Sequence, residues 1–209
     1  IANYVQKIGA DYVAHGSTGA GNDQVRFDMI FNILIPGVEI ITPIRDLKLS
    51  REAEIEYLNK HGVEYSAEKA RYSINKGLWG TSVGGKETLT SNETLPEEAW
   101  PTQVSETQPR KLELIFEQGE LVGLDGERLE PVRAIQKLQA IAQPYGIGRD
   151  IHVGDTIIGI KGRVGFEAAA HVLIIKAHQT LENHTVTKWQ LSWKEQGSSF
   201  YGNWLHEGQ

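Results

Sequence analysis

The polar residues best suited to chemistry are concentrated in one glycine-rich segment, HGSTGAGNDQVRF. Asn22 and Arg26 are four residues apart, so a helix would place both side chains on one face. Together with Thr18 and Asp23 they offer a hydroxyl, an amide, a carboxylate and a guanidinium. A carboxylate suits an ammonium group, and a guanidinium can bind a carboxylate bidentately. We therefore interpret this segment as a candidate site for small amino acids.

The glycines of the same segment are Gly16, Gly19 and Gly21, and they lie between a predicted strand and a predicted helix. Small residues there let backbone N–H groups approach an anion, and the helix dipole favours negative charge. By themselves the glycines fit a tight strand-to-helix turn equally well, because they match neither the dinucleotide fingerprint nor the common phosphate loop. Asn22 could likewise simply cap the helix, with Arg26 solvated.

The elements around this segment alternate between strand and helix. Val25, Met29 and Ile33 recur at helical spacing, which predicts a helix. We predict a helix ending near Lys7, a strand over 11–15, helices over 22–34 and 50–60, and a strand over 38–42, with Pro36-Gly37 ending the first long helix and Ser50 capping the second. This order is typical of an α/β domain with a parallel sheet.

The character of the sequence changes after Ser66. Residues 72–98 are rich in Gly, Ser, Thr and Asn without a sustained period, so we predict a long loop. Alternation across Gln118-Gly119 and Asp125-Gly126 predicts a hairpin or meander. We then predict a helix from Pro131 to about Tyr145, a strand over 151–160, and helices over about 166–182 and 185–204. The fold class is thus α/β followed by α+β.

Composition narrows the classes of function. A formal net charge of -6 and a pI near 5.7 argue against nucleic-acid or anionic-membrane binding, because both need a basic surface. The absence of cysteine excludes disulfides and thiolate chemistry. No apolar run approaches the roughly 20 residues that span a bilayer, and the first residues do not resemble a secretion signal. We therefore expect a cytoplasmic protein.

A family resemblance follows from three strings. TGAGNDQVRF resembles the signature of the argininosuccinate synthases, and the similarity continues through DLKLSREAEIEYLNKHG and YSINKGLWGTS. The resemblance implies that residues 1–66 are the C-terminal part of a parallel-sheet nucleotide-binding domain of the ATP-pyrophosphatase type. Residues 67–209 would be a synthetase domain, truncated at its C terminus. The family's phosphate loop would precede Ile1, so we expect this segment alone to be inactive.

The resemblance also implies an activity. In that family ATP activates the ureido oxygen of citrulline as an adenylate, pyrophosphate leaves, and the amine of aspartate attacks the activated carbon. We therefore expect an ATP-dependent ligase of arginine biosynthesis that takes citrulline, aspartate and ATP, with Mg²⁺ accompanying ATP. The family further implies a homotetramer. Because adenylation supplies the leaving group, alignment and phosphate stabilisation suffice, and we assign no catalytic acid or base.

Site residues carry over position by position. The resemblance implies that Gly16 lies against the nucleotide, that Thr18, Asn22 and Asp23 hold aspartate, and that Asn22, Arg26, Ser73 and Ser82 contact citrulline. For a loop serine taken alone, a local turn hydrogen bond is the more common role. The match of YSINKGLWGTS favours ligand contact instead.

The sequence departs from the family pattern at three positions. Ala20 stands where the family commonly has lysine, which removes a positive charge. Gly154 and Phe166 stand where the family has a glutamate and a tyrosine that contact citrulline. One alternative is therefore an Nα-acylated citrulline, whose neutral amide would leave a buried carboxylate unpaired. A second is that Asp155 replaces the glutamate after a one-residue shift.

Other classes of protein remain as alternatives. Another pyrophosphate-releasing enzyme, such as an amidotransferase or a thiolation enzyme, would lack the GNDQVRF string. A non-catalytic amino-acid-binding relative would keep the pocket without turnover. His171, His178 and Glu182 share a helical face, but no matching ligand cluster supports a metal site, and we assign none.

Aromatic residues are frequent near the end of the chain. They are Trp189, Trp193, Phe200, Tyr201 and Trp204. We expect them to pack a helix onto its own domain or onto a neighbouring subunit, because large aromatic side chains contribute much apolar area to such contacts.

Overall fold

The computed structural model describes residues 1–19, 21–65 and 71–209. The chain divides into two compact units. The first unit comprises Ile1–Ala70, Gly154–Gly162 and Gly202–Gln209, and the second comprises Arg71–Val153 and Arg163–Tyr201. The boundary expected between residues 66 and 67, like Ala20, lies outside the described residues.

The first unit alternates helices and strands. Its elements are α1 (Ala2–Ile8), β1 (Tyr12–Ala14), α2 (Asp23–Leu34), β2 (Glu39–Ile41), α3 (Pro43–Asp46) and α4 (Arg51–Lys60). β1 pairs with β2 in parallel, with Val13 opposite Ile40. Phe31 and Ile35 are buried against α1 residues in the core of this unit. The parallel pairing agrees with the expected α/β class, and the larger parallel sheet stays a prediction.

The helix ends of this unit follow local signals in the sequence. Ser50 Oγ accepts a hydrogen bond from the backbone N–H of Ala53 (3.3 Å) at the start of α4. Gly62 follows α4 with φ +80°, a backbone conformation that glycine adopts at no steric cost. Only α3, a single turn that begins at Pro43, had no counterpart in the prediction. The proline fits there because it needs no backbone N–H at the first position of a helix.

The remaining helices and strands lie wholly or mainly in the second unit. They are β3 (Ser73–Gly77), β4 (Gly80–Gly84), β5 (Leu114–Glu117), β6 (Glu120–Leu124), β7 (Glu127–Arg128), α5 (Pro131–Ala142), β8 (Arg149–Asp155), β9 (Lys161–Glu167), α6 (Ala169–Thr185) and α7 (Lys188–Glu207). One sheet has the strand order β3-β4-β9-β8, and a second has the order β5-β6-β7. Leu124, Leu138 and Ala170 form the centre of a core between the smaller sheet and helices α5 and α6.

The smaller sheet confirms the predicted meander. Gln118, Gly119, Asp125 and Gly126 all have positive φ, at the two turns that the sequence indicated. These residue types tolerate the left-handed conformation that tight hairpin turns require.

Two predictions about the larger sheet were wrong. The stretch 72–98 is not only loop, because β3 and β4 form a hairpin with Asn75 opposite Ser82. Phe166 lies in strand β9, and the following helix begins only at Ala169. Both errors have one cause, which is that glycine-rich strands lack the alternating apolar pattern. At Gly165 an added Cβ would meet the side chains of Leu95 and Trp100, so a larger residue there would need the Leu95 side chain to move.

No helix among the described residues is both long enough and apolar enough to cross a membrane.

Candidate functional site

The glycine-rich turn lies in the first unit, between the end of β1 and the start of α2. Gly16 is exposed, and a Cβ added to it would make only an ordinary contact with Ile44 (3.8 Å). A Cβ at Gly19 would similarly lie 3.9 Å from Arg45. The described residues therefore do not require glycine at these two positions, whereas a ligand close to the backbone would.

A polar network holds this turn in place. The backbone N–H of Ser17 donates to Nδ1 of His15 (3.3 Å), and Nε2 of the same ring lies 3.4 Å from Asp28 Oδ1. Arg45 donates from Nη1 to Asp28 Oδ2 (2.6 Å) and from Nε to the hydroxyl of Thr42 (3.3 Å). Asp28 thus joins the turn, helix α2 and the segment after β2.

Asn22 does not cap α2 with its side chain, contrary to one reading of the sequence. Its Oδ1 instead accepts a hydrogen bond from the backbone N–H of Ile157 (2.8 Å). Ile157 lies in the loop between β8 and β9, and residues 154–162 of that region belong to the first unit. The amide predicted to contact ligands is therefore tied to a segment more than a hundred residues away in sequence.

Arg26 is also engaged by its own chain. Its Nη2 donates to the backbone carbonyl of His206 (3.2 Å) and lies 3.4 Å from Nδ1 of that ring. Its Nη1 lies 3.6 Å from Asp23 Oδ1. The guanidinium remains 43% exposed and the Asp23 side chain 75% exposed, so both charged groups are accessible to a ligand. A guanidinium has five N–H donors, which leaves donors for a second partner.

Gln24 is a polar residue of this turn that the sequence analysis did not select. It is 4% exposed, and its Nε2 has no hydrogen-bond partner among the described residues. The only signal in the sequence was its position inside GNDQVRF, since nothing local predicts that a glutamine in the first turn of a helix is buried.

Ser73 and Ser82 lie in the second unit on the two strands of the β3–β4 hairpin. Ser73 pairs with Gly84 and Ser82 with Asn75, so the two serines are diagonal neighbours on one face of the sheet. Tyr72 and Val83 point to the opposite face, where they contribute to a buried cluster. The two serines therefore share the face that turns away from that core.

Asn75 and Phe166 lie on the same face as the serines. Asn75 is directly opposite Ser82 on β3, and Phe166 is opposite Ser82 on β9. The ring of His152 on β8 meets the ring of Phe166 edge-on, with centroids 6.1 Å apart. Asn75 and His152 are exposed and had not been selected from the sequence, because the face to which a strand residue points depends on its register.

The region that departs from the family pattern forms a hairpin. Asp155 lies at the end of β8, where its Oδ1 is 2.5 Å from Nζ of Lys161 at the start of β9. Its carboxylate thus forms an ion pair within the hairpin and remains 60% exposed.

The histidines of α6 have structural partners. The ring of His171 stacks on Trp79 at 5.0 Å, and burial lowers the pKa of this histidine. Nδ1 of His178 lies 3.4 Å from Glu182, a carboxylate that Lys194 also binds. Among residues 1–19, 21–65 and 71–209, no group of three or more His, Asp or Glu side chains could hold a metal ion.

The features described so far define a class of protein: an α/β unit with a cluster of polar residues at the start of one helix, followed by an α+β unit. The chain belongs to the argininosuccinate synthase family. Residues 1–64 match the family model described as the arginosuccinate synthase N-terminal HUP domain, and residues 72–209 match the arginosuccinate synthase C-terminal domain.

Relatives named argininosuccinate synthase support this membership. The chain is 40% identical to the protein of Methanocaldococcus jannaschii over 211 residues, which cover 100% of this chain and 53% of the relative. It is 43% identical to that of Dehalococcoides mccartyi over 205 residues, covering 96% of this chain and 50% of the relative. The chain is 37% identical to the protein of Metallosphaera sedula over 209 residues, which cover 100% of this chain and 54% of the relative. The chain thus spans about half the length of these relatives.

Proposed function

We propose that the full-length protein is an ATP-dependent ligase that joins citrulline and aspartate into argininosuccinate, with release of AMP and pyrophosphate, in arginine biosynthesis. The names of the relatives support this activity. The observation that carries it is the exposed pair of Asp23 and Arg26 at the start of α2. A carboxylate can bind the ammonium group of one amino acid, and the guanidinium beside it, 3.6 Å away, can bind a second one.

We assign the residues of the helix start to the two amino acids. Asp23 would hold the ammonium group of aspartate, and Thr18 and Asn22 its carboxylate, where the helix dipole favours negative charge. Arg26 and Asn22 would contact citrulline, and Gly16 would let the nucleotide approach the backbone. Mg²⁺ would accompany the phosphates of ATP. These groups bind and orient the reactants, which is the main requirement once adenylation has supplied a leaving group.

We assign Ser73 and Ser82 to contacts with citrulline. Their shared face supports this role, because both hydroxyls can serve one ligand there. An Nα-acylated acceptor is not favoured, since the relatives are named argininosuccinate synthase.

The activity is tested by incubating the full-length protein with ATP, Mg²⁺, aspartate and citrulline. We expect argininosuccinate, AMP and pyrophosphate in equal amounts, measured by mass spectrometry and a coupled phosphate assay. Nα-acetylcitrulline and an acceptor-free reaction serve as controls, and we expect free citrulline to be preferred. Pyrophosphate release without argininosuccinate would assign the protein to another class of ATP-dependent enzyme. Binding of the substrates without turnover would indicate a non-catalytic relative.

The shared face of the sheet gives a prediction for Asn75. We expect Asn75→Ala to raise the KM for citrulline about tenfold, because a lost ligand hydrogen bond is worth roughly 1 to 1.5 kcal/mol. Lys76→Ala is the matched control, since Lys76 is exposed on the same strand and points to the other face. The measurement is the steady-state KM for citrulline of both variants in the full-length protein. If Asn75→Ala and Lys76→Ala have equal KM values, Asn75 does not contact citrulline.

We also propose that the protein is a homotetramer and acts in the cytoplasm. Trp189, Trp193 and Tyr201 on α7 are 66%, 73% and 66% exposed, so they do not pack onto their own unit. Aromatic residues in this position favour a contact with another subunit. We expect light scattering of the full-length protein to give the mass of four chains. Replacement of both tryptophans by glutamine should lower that mass, and an unchanged mass would place the subunit contact elsewhere.

A further inference from the structure

The side chain of His15 closes a three-residue turn around Gly16. Its Nδ1 accepts a hydrogen bond from the backbone N–H of Ser17 (3.3 Å), so the ring spans the residue between them. Gly16 is exposed, and it has no side chain of its own to hold it in place. The backbone conformation at Gly16 therefore depends on the acceptor atom that residue 15 supplies.

The hydrogen bonds also fix the tautomer of this ring. A backbone N–H can only donate, so Nδ1 of His15 must carry a lone pair and no proton. In a neutral imidazole the proton is then on Nε2, which lies 3.4 Å from Oδ1 of Asp28 and can donate to it. The tautomer that carries its proton on Nδ1 would lose the bond to Ser17.

The ring is held in this orientation from several sides. The side chain of His15 is only 10% exposed, and the centroid of its ring lies 5.2 Å from that of Phe27. The backbone N–H of His15 donates to the carbonyl of Ile41 (3.1 Å), which ties the start of the turn to β2. Asp28 is fixed in turn by Nη1 of Arg45 (2.6 Å). Both ring nitrogens are engaged within the protein, so the ring is arranged to orient the turn and not to react.

We propose that His15 is a positioning residue of the nucleotide site: its Nδ1 holds the N–H of Ser17 and so keeps the backbone at Gly16 in the conformation that ATP approaches. The inference rests on the proposed function, which assigns Gly16 to the nucleotide. His15 does not touch ATP in this arrangement and acts only through the turn. Without the acceptor the turn would populate other conformations, and the apparent affinity for ATP would fall with the competent fraction.

The test separates the acceptor atom of His15 from the rest of its ring. His15→Phe keeps a ring beside Phe27 and removes both hydrogen bonds. His15→Asn removes the ring, but its Oδ1 can accept from the N–H of Ser17, as asparagine does in an Asx turn. In the full-length protein we expect His15→Phe to raise the KM for ATP about tenfold at nearly unchanged kcat, and His15→Asn to stay within about twofold of the wild type.

A purely structural role predicts the opposite order of the two variants. Both lose the contact with Asp28, and only His15→Asn also loses the packing against Phe27. His15→Asn should therefore have the lower melting temperature and yet the better KM for ATP. A KM for ATP that is higher in His15→Asn than in His15→Phe, or unchanged in His15→Phe, would overturn the proposal.

Two matched controls accompany these variants. His178 on α6 also has a ring nitrogen 3.4 Å from a carboxylate, that of Glu182, and the ring of Phe116 beside it. His178→Phe should leave the KM for ATP unchanged, whatever it does to the melting temperature. Ser17→Ala keeps the backbone N–H that His15 binds, so it should behave like the wild type.

A second measurement uses the wild type and applies even if His15→Phe does not fold. Nitrogen-15 NMR of the imidazole rings shows which nitrogen of each histidine carries the proton, and the signals of His15 are those absent from His15→Asn. We expect His15 to carry its proton on Nε2 at alkaline pH. A proton on Nδ1 would overturn the proposal, because that atom could then not accept from Ser17.

Calorimetric titration with ATP and Mg²⁺, in the absence of citrulline, separates this inference from the proposed function. No adenylate can form without the acceptor, so the titration measures binding alone. A wild type that binds ATP but yields no argininosuccinate in the complete reaction would refute the proposed activity alone. Equal Kd values of the wild type and His15→Phe for ATP would refute the role of His15, whatever the turnover. A wild type that does not bind ATP would refute both.

Discussion

The Gly148→Ala variant is expected to lose most of the stability of the second unit. Gly148 has φ +78°, and a Cβ there would lie 2.5 to 2.7 Å from backbone atoms of Ala168 and Ala169. The carbonyl of Gly148 also accepts a hydrogen bond from the N–H of Ala168 (3.0 Å). The methyl group would therefore force apart the segment before β8 and the start of α6, where backbone atoms cannot move as a flexible side chain can.

Two costs add in this variant. A left-handed conformation costs a non-glycine residue about 1 to 2 kcal/mol. Overpacking against rigid atoms costs typically about 1 to 3 kcal/mol and occasionally more. The sum is a large part of the roughly 5 to 15 kcal/mol that stabilises an ordinary domain. We expect a large fall in the urea midpoint of the full-length protein, or failure to obtain folded protein.

Gly126→Ala is the matched control for Gly148→Ala. Gly126 has φ +79°, almost the same backbone conformation, but no atom of the described residues lies within 4 Å of an added Cβ. This variant carries only the conformational cost and should shift the midpoint slightly. If the two variants were equally stable, the steric explanation for Gly148 would be wrong.

The Asp23→Asn variant is expected to lose activity and keep its fold. In the proposed site, a neutral amide would not form an ion pair with the ammonium group of aspartate, and loss of one partner in a bound charge pair costs on the order of 2 to 5 kcal/mol. We therefore expect kcat/KM for aspartate to fall by about 30-fold to several thousand-fold. Because the Asp23 side chain is 75% exposed and only 3.6 Å from Arg26, its contribution to folding is small.

Glu52→Gln is the control for the helix-dipole effect of this change. Glu52 is also an acid in the first turn of a helix, α4. Its pKa is lowered, chiefly by a backbone hydrogen bond at the helix start and then by the hydroxyl of Ser50. Both substitutions should change the melting temperature by similar small amounts, and only Asp23→Asn should change the kinetics. A normal kcat/KM for that variant would remove Asp23 from the aspartate site.

The sequence predicted those parts of the fold that depend on near neighbours. Helix α4 begins at Ser50 and the turn at Gln118-Gly119 has positive φ, because capping and turn preferences act within a few residues. The string GNDQVRF was sufficient to identify the family, which the matched family models confirm. The roles of the individual site residues stay predictions.

Only the tertiary structure decided which groups are buried, which are paired, and which lie on the face of the larger sheet that carries Ser73 and Ser82. Asn75 is opposite Ser82 because of the register of β3 and β4. Asn22 accepts a hydrogen bond from Ile157, which lies in a hairpin far along the chain. Gln24 is buried, and its Nε2 has no hydrogen-bond partner in the described part of the chain, which no local pattern indicates. The physical reason is the same in each case: register, burial and long-range hydrogen bonds are fixed by packing between distant segments, whereas the sequence signals of turns and helix ends are local.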